Sequence, residues 1–405
     1  MLRRHIEEPL RAALADTPVV LLVGARQTGK STLAQSLVRP EQYVTLDDAT
    51  VLAAAKADPA EFVGQFEDFV VIDEVQRAPE LLLPMKAAVD RRRRPGRFLL
   101  TGSADVLMAP RVAESLVGRM EHLTLWPFSQ GEIGKHTEGF VDALLVQRVP
   151  SRNQLVEPRQ VLDRILRGGY PAAYRRSEAR RRAWFRSYVT GVLQRDVRDL
   201  ANIVDLTALP RLLTLLASRA GGLLNLADVS RGVGIPYTTL QRYMALLETT
   251  FLIHLVPAWS RNLGNRVTKS PKIAFVDTAL AAALLDVTAS RPGAEPGLSG
   301  PMVENFVIME LVKQASWHRR GPGLFHFRTP RGAEVDVVIE VEGRLIGIEV
   351  KASGTVRESD FRGLEVLAEM TGPRFHRGIV LYMGNRVLPF GPRFHAVPVA
   401  ALWEW

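Results

Sequence analysis

A multidomain α/β protein is predicted, and three observations predict it. Near the start, the apolar run Val19-Val20-Leu21-Leu22-Val23 leads into a glycine-rich loop and then a helix-forming stretch, the alternation expected of a sheet wound by helices. The middle of the chain is helical in periodicity and basic in charge. Towards the end, two runs of alternating apolar and polar residues flank a tight turn. With 405 residues the chain has room for two or three domains that each bury a core. We place them at residues 1–134, 159–290 and 298–405, with a polar linker over 134–158 and a Pro/Gly-rich loop over 292–297.

Composition removes several classes. A hydrophobic content of 47%, no biased tract and a mean hydropathy near zero argue against long disorder and against a membrane fold. The most membrane-like stretch, residues 273–289, is broken by Asp277 and Asp286 and is shorter than the roughly 20 apolar residues a bilayer needs, so it reads as a buried helix. Glu7 and Glu8 arrive before any apolar core, which is not the layout of a signal peptide; the expected setting is the cytoplasm. The absence of cysteine excludes disulfides, thiolate catalysis and cysteine-bound zinc. The net charge of +9 is concentrated between Val161 and Ser270, where Lys and Arg outnumber Asp and Glu more than two to one. An excess confined to one region is the footprint of a phosphate-backbone binder, and DNA is the expected partner.

The first strand runs directly into Gly24-Ala25-Arg26-Gln27-Thr28-Gly29-Lys30-Ser31, which matches G-x-x-x-x-G-K-[ST] between a strand and a helix expected over 30–38. The glycines let backbone N–H groups turn inward around phosphates, Lys30 bridges the terminal phosphates of ATP, and Ser31 puts a hydroxyl on Mg²⁺, with Thr32 following in the helix. A second strand over 69–72 ends in Asp73-Glu74. There Asp73 would hold Mg²⁺ through water and Glu74 would act as general base on the attacking water, a pairing that favours hydrolysis. The third strand, 98–101, ends in hydroxyls suited to sensing the terminal phosphate: Thr101 or Ser103, with Ser103 preferred. Arg119, after Leu116-Val117-Gly118, reads either as a finger for a neighbouring subunit's phosphate or as a solvated surface arginine.

In the middle, residues 225–244 read as helix, Gly-containing turn, helix. Asn225 caps the first helix and Pro236 opens the second. Leu240, Met244 and Leu247 would face inward, leaving Thr238, Thr239, Gln241 and Arg242 on a recognition face. Two strand-like runs, 251–256 and 272–276, resemble a wing, with Arg261, Arg266 and Lys269 between them to meet phosphates. A winged helix also serves as a rigid spacer or protein contact, and that reading stays open. Trp184, Tyr188 and Val192, at i, i+4 and i+8, read as a buried helix face, and Arg195-Asp196 as a local ion pair or an interdomain ATP sensor, with the pair preferred.

At the C-terminal end, the strands 334–340 and 345–351 flank the turn Glu342-Gly343-Arg344. Asp336 lies on the first, and Glu349 and Lys351 share a face of the second. Two carboxylates that hold Mg²⁺ and a lysine on the attacking water form the minimum kit for phosphodiester hydrolysis. An ordinary acidic hairpin with a salt-bridged lysine fits the same residues. His326 and Arg328, just upstream, would contact phosphate or cover a strand edge.

The order of elements resembles the AAA-type P-loop ATPases, and specifically a prokaryotic family that joins such a domain to a C-terminal domain of unknown function. The resemblance rests on residues 24–32, 69–76, 99–103 and 116–119, and on Leu125-Trp126-Pro127-Phe128-Ser129, Gly168-Gly169-Tyr170-Pro171, residues 194–197, Lys269-Ser270-Pro271-Lys272 and Glu349-Val350-Lys351. It implies ATP, Mg²⁺ and a ring or other homo-oligomer. The C-terminal strands resemble the restriction-endonuclease-like fold, whose first helix often supplies a glutamate. Glu304 matches that place, whereas Val335 departs from the proline frequent in that motif. That resemblance implies either a cutting module or a nuclease fold used for binding alone. The expected function is Mg²⁺-dependent ATP hydrolysis coupled to DNA binding or remodelling; the rival is a nucleotide-controlled switch or scaffold acting on protein partners.

Overall fold

The computed structural model describes residues 2–103, 116–146, 149, 156–194, 207–262, 264, 266, 269–288 and 299–405. The chain divides into two compact units, one formed by residues 3–127 with 249–251 and the other by 128–248 with 252–405. Residues 195–197, the Arg195-Asp196 pair and the loop over 292–297 lie outside the described residues.

The first unit is built on a wholly parallel five-stranded sheet: β1 (Val19–Val23), β2 (Tyr43–Thr45), β3 (Val70–Asp73), β4 (Phe98–Gly102) and β5 (Met120–Thr124), in the order β2-β3-β4-β1-β5. Helices cover the sheet, so β1, β3 and β4 are buried at every position and read as continuous apolar runs. Because all strands point the same way, Val23, Thr45, Asp73 and Gly102 finish on one edge, where open α/β sheets bind ligands. The edge strands are partly exposed; β2 has only three residues, and β5 mixes Glu121, His122 and Thr124 with apolar positions, which concealed them in the sequence. The first helix after the loop ends at Gln35, and residues 36–38 continue as turns.

The second unit opens with helices Gln130–Gly134 and Phe140–Leu145. Part of the expected linker is therefore folded, because Phe140, Val141 and Leu144 are buried and Phe140 stacks on Trp405 with ring centroids 5.7 Å apart. Helices Pro158–Arg167, Glu178–Val192, Leu209–Ala217, Leu226–Val233 and Tyr237–Thr249 follow. Next comes an antiparallel pair, β6 (Ile253–Val256) and β7 (Lys272–Phe275), then helix Thr278–Leu284. Tyr188 and Val192 are buried as expected, and Trp184 stacks on Tyr188 in an aromatic group with Tyr170 and Phe185.

Helix Ser299–Trp317 leads to a six-stranded mixed sheet: β8 (Gly323–Arg328), β9 (Glu334–Val341), β10 (Arg344–Lys351), β11 (Phe375–Tyr382), β12 (Leu388–Pro389) and β13 (Phe394–Pro398), ordered β12-β13-β11-β10-β9-β8. The β8-β9-β10 meander is antiparallel, and the crossover through helix Arg362–Thr371 makes β11 parallel to β10. Trp259, which follows β6, is buried with Phe327, Val335, Leu345 and Leu364, so the middle and C-terminal segments share one core. Among the described residues no helix is long and apolar enough to cross a membrane.

Candidate functional site

The loop after β1 has the backbone its sequence demands. Gly24 has φ 149°, and a Cβ there would lie 2.2 Å from the Leu125 carbonyl oxygen, so only glycine fits. Gly29 (φ 97°) and Gln27 (φ 61°) also take left-handed conformations, which turn the backbone of residues 24–31 into a cradle. Lys30 is buried, and its Nζ donates to the carbonyls of Gly24 (2.8 Å) and Ala25 (2.9 Å); Thr28 Oγ1 donates to the Ala25 carbonyl at 2.9 Å. Arg4, far upstream, clasps the loop from below. Its guanidinium is buried and donates to the carbonyls of Thr28 (2.8 Å) and Trp126 (2.6 Å). Nothing in the sequence singled it out.

Asp73, the last residue of β3, gathers three hydroxyls. Ser31 Oγ donates to Oδ1 at 2.9 Å, Thr101 Oγ1 donates to the same oxygen, and Tyr43 OH donates to Oδ2 at 2.7 Å. Burial, together with the hydrogen bond to Asp73 and its charge, pushes the Tyr43 phenol well above its ordinary value, so it stays a donor. Glu74 sits in a left-handed conformation (φ 61°), a strained placement that turns its side chain off the strand line. Gln76 Nε2 donates both to Glu74 Oε2 and, at 3.0 Å, to Ser103 Oγ, and Ser103 Oγ lies 3.4 Å from the same carboxylate oxygen. The two candidate sensors differ in the carboxylate they meet: Thr101 donates to Asp73 and accepts from the Glu74 N–H at 3.3 Å, whereas Ser103 borders the Glu74 carboxylate. Arg119 is committed elsewhere, in a two-pronged pair with Asp90 (2.6 and 3.1 Å) that holds the Asp90 carboxyl below its usual range.

In the second unit, helices Leu226–Val233 and Tyr237–Thr249 meet at Gly234 (φ 74°), with Asn225 Oδ1 accepting from the Asp228 N–H at 3.1 Å as the cap. Leu240, Met244 and Leu247 are buried; Thr238, Gln241 and Arg242 are exposed and Thr239 half-buried. Arg261 and Lys269 are exposed. Arg266 is engaged: its Nη1 pairs with Glu340 at 2.8 Å, its Nε donates to the Ser260 carbonyl, and its guanidinium lies 4.7 Å from the Phe325 ring centroid. Although burial raises the Glu340 carboxyl, Arg266 and Arg374 together hold it below its ordinary value. Strand β7 of the hairpin is buried at all four positions. His326, within β8, is buried too, bonded through Nε2 to the Ser270 carbonyl while its backbone pairs with residues 257–259, so that segment covers the edge of β8 there. Arg328 is exposed and pairs with Glu334 at 3.6 Å.

The acidic residues of the C-terminal module do converge, around a residue the sequence reading left without a role. Lys272, first in β7, places Nζ 2.6 Å from Glu304 Oε1, 2.8 Å from Asp336 Oδ1 and 3.1 Å from Glu334 Oε1. Asp336 Oδ2 accepts from the Val350 N–H at 2.8 Å, Lys351 Nζ donates to Glu349 Oε1 at 2.8 Å, and Glu349 Oε2 is buried with no hydrogen-bond partner. Burial, then the charge of Asp336, pushes Glu304 up to about 8 and Glu349 up to about 7, with the lysines opposing. Burial alone would depress Lys272, but Asp336 and Glu304 outweigh it and raise its value. This donor set does not fit Mg²⁺: the Lys272 ammonium fills the point on which Glu304, Glu334 and Asp336 converge. Among the described residues no group of three or more His, Asp and Glu side chains is arranged to hold a metal ion.

The parallel sheet with its loop after β1 and its carboxylates at the end of β3 defines a P-loop ATPase of the AAA type. Residues 16–134 match the family described as AAA domain, residues 158–291 a domain of unknown function (DUF8612), and residues 299–402 a domain of unknown function (DUF4143). Uncharacterized proteins Mb2031c of Mycobacterium bovis and Rv2008c of Mycobacterium tuberculosis are each 30% identical over 399 residues, covering 98% of this chain and 83% of theirs. The chain belongs to their family, P-loop AAA-type ATPases with a C-terminal DUF4143 domain. A solved Walker-type ATPase of Pyrococcus abyssi is similar at 15% identity, covering 70% of this chain and 96% of that one with a TM-score of 0.41.

Proposed function

We propose that the protein couples Mg²⁺-dependent ATP hydrolysis to a changing grip on DNA. The observation that carries this reading is the convergence of Lys30, Ser31, Asp73 and Glu74 at one edge of the parallel sheet. The Ser31 hydroxyl and Asp73 carboxylate, 2.9 Å apart, are hard oxygen donors that fit Mg²⁺. When bound, the ion neutralises charge between the terminal phosphates. Lys30 exchanges the Gly24 and Ala25 carbonyls for phosphate oxygens. Glu74, steadied by Gln76 and Ser103, takes the proton of the attacking water. In a homo-oligomeric ring, Arg119 leaves Asp90 for a neighbour's phosphate.

The exposed Thr238, Gln241 and Arg242, with Arg261 and Lys269, offer the DNA-facing surface, set in the most basic part of the chain. A second reading, a nucleotide-controlled scaffold for protein partners, is favoured by Arg266 being tied to Glu340 and by the burial of β7. Steady-state ATP hydrolysis, measured with single-stranded, duplex and branched DNA at fixed moderate salt, separates the two. Stimulation by one DNA form is the expected result, with Lys30→Ala inactive throughout. Turnover retained in Lys30→Ala would refute the nucleotide site. Hydrolysis indifferent to every DNA, without DNA binding at low salt, would favour the scaffold.

A further inference from the structure

We infer that the Lys272 ammonium is itself the cation of the acidic cluster, in place of a divalent metal, so that the C-terminal module neither binds Mg²⁺ or Mn²⁺ among Glu304, Asp336 and Glu349 nor cuts phosphodiesters through such an ion. This inference stands independently of the nucleotide site. Three carboxylates from two elements, helix Ser299–Trp317 and strand β9, point at one nitrogen within 3.1 Å. Its side chain is only 2% exposed, which is not the state of a surface lysine that has swung in by chance. The backbone fixes it there. Lys272 pairs with Val256 across the β6/β7 ladder and forms a bridge to Leu223 on its other side. Asn305, next to Glu304, accepts from the Phe275 N–H at 2.6 Å and donates to the Phe275 carbonyl at 2.9 Å, locking β7 to the helix that carries the glutamate.

The charge pattern agrees. Hard divalent ions need several oxygen lone pairs turned towards one point, and here Glu304, Glu334 and Asp336 turn theirs towards an ammonium. A metal placed on the same oxygens would stand beside an ammonium that is buried on a backbone paired in β7. Lys351 pairs with Glu349 at 2.8 Å, so Lys272 is a second lysine in the cluster, bonded to the Glu304 and Asp336 oxygens on which an ion would rest. In the sequence it closes Lys269-Ser270-Pro271-Lys272, a stretch far from the carboxylates.

Titrating Mn²⁺ into the nucleotide-free full chain, followed by the loss of its free-ion paramagnetic resonance signal, tests the inference. Wild type and Asp336→Asn should bind equal amounts, because the amide oxygen of the variant side chain still accepts from Val350 and no ion depends on the carboxylate. A Mn²⁺ bound by wild type and lost in Asp336→Asn would overturn the inference. This comparison stands even where Lys272 variants misfold. Lys272→Ala should gain one Mn²⁺ that Lys272→Ala/Asp336→Asn lacks, and its thermal midpoint should rise with Mn²⁺ while that of wild type does not. A folded Lys272→Ala without the added ion would also overturn it, since the carboxylates freed of lysine would then form no cation site.

Discussion

Asp73 shows how much of a site a contiguous motif omits. The loop of residues 24–31 and the pair Asp73-Glu74 were legible because each lies within one short stretch whose flanking strand is apolar. Thr101 was read as a phosphate sensor and not as a partner of Asp73, and Tyr43 and Gln76 were given no role, since they meet Asp73 and Glu74 only when β2, β3 and β4 align in parallel. Arg4 was invisible for the same reason: its partners are backbone carbonyls, which carry no sequence signature. Glu74→Gln separates the chemical role from binding. It should lower ATP turnover by about 10²–10⁴-fold, the usual contribution of a general base, while nucleotide affinity stays nearly unchanged. Equal losses in both would mean that Glu74 only shapes the site.

Elements were read best where the pattern was long. Both strands of the β9/β10 hairpin came through in the period-two alternation, and the helix pair at 226–249 in its caps. The β6/β7 pair was found within the runs 251–256 and 272–276. Ile273-Ala274-Phe275 is a continuous apolar run, the sign of a strand covered on both faces, and it is buried at all three positions. The same helix, Tyr237–Thr249, provides a two-sided test. Leu240→Ala, on the buried face, should cost about 2–5 kcal/mol of stability, read by urea denaturation. Gln241→Ala with Arg242→Ala, on the exposed face, should change stability by only about 0.5 kcal/mol. That double change should weaken DNA binding and make the salt slope of log affinity shallower by about one. Unchanged DNA affinity with an intact fold would move the interface elsewhere.

On the scale of the molecule, buried acids give the second unit a pH dependence of definite sign. Burial, and then the charge of Glu310, pushes Glu138 up to about 8, although Ser129 Oγ (2.6 Å) and the Gly131 N–H (2.9 Å) donate to its oxygens. Unfolded, it titrates near the ordinary 4.5, so between these values the folded chain holds the extra proton. Its contribution is therefore complete below about pH 4.5 and declines as pH rises towards 8. Glu304 and Glu349 share that sign, so Glu138→Gln should flatten the fall in urea midpoint between about pH 5 and 8 without abolishing it. An identical slope in the variant would show that Glu138 is charged in the folded state.

The match to the AAA domain covers residues 16–134, yet Arg4 precedes it and Phe251, edge-to-face on Trp126 at 5.7 Å, arrives from far downstream. The ATPase in space is thus not a single interval of the gene. A fragment cut at the family boundaries would leave the loop without its arginine clasp and Trp126 without its aromatic cover. Recombination that swaps such intervals between relatives would face the same obstacle, and the ATPase should be inherited together with the segment that returns to complete it.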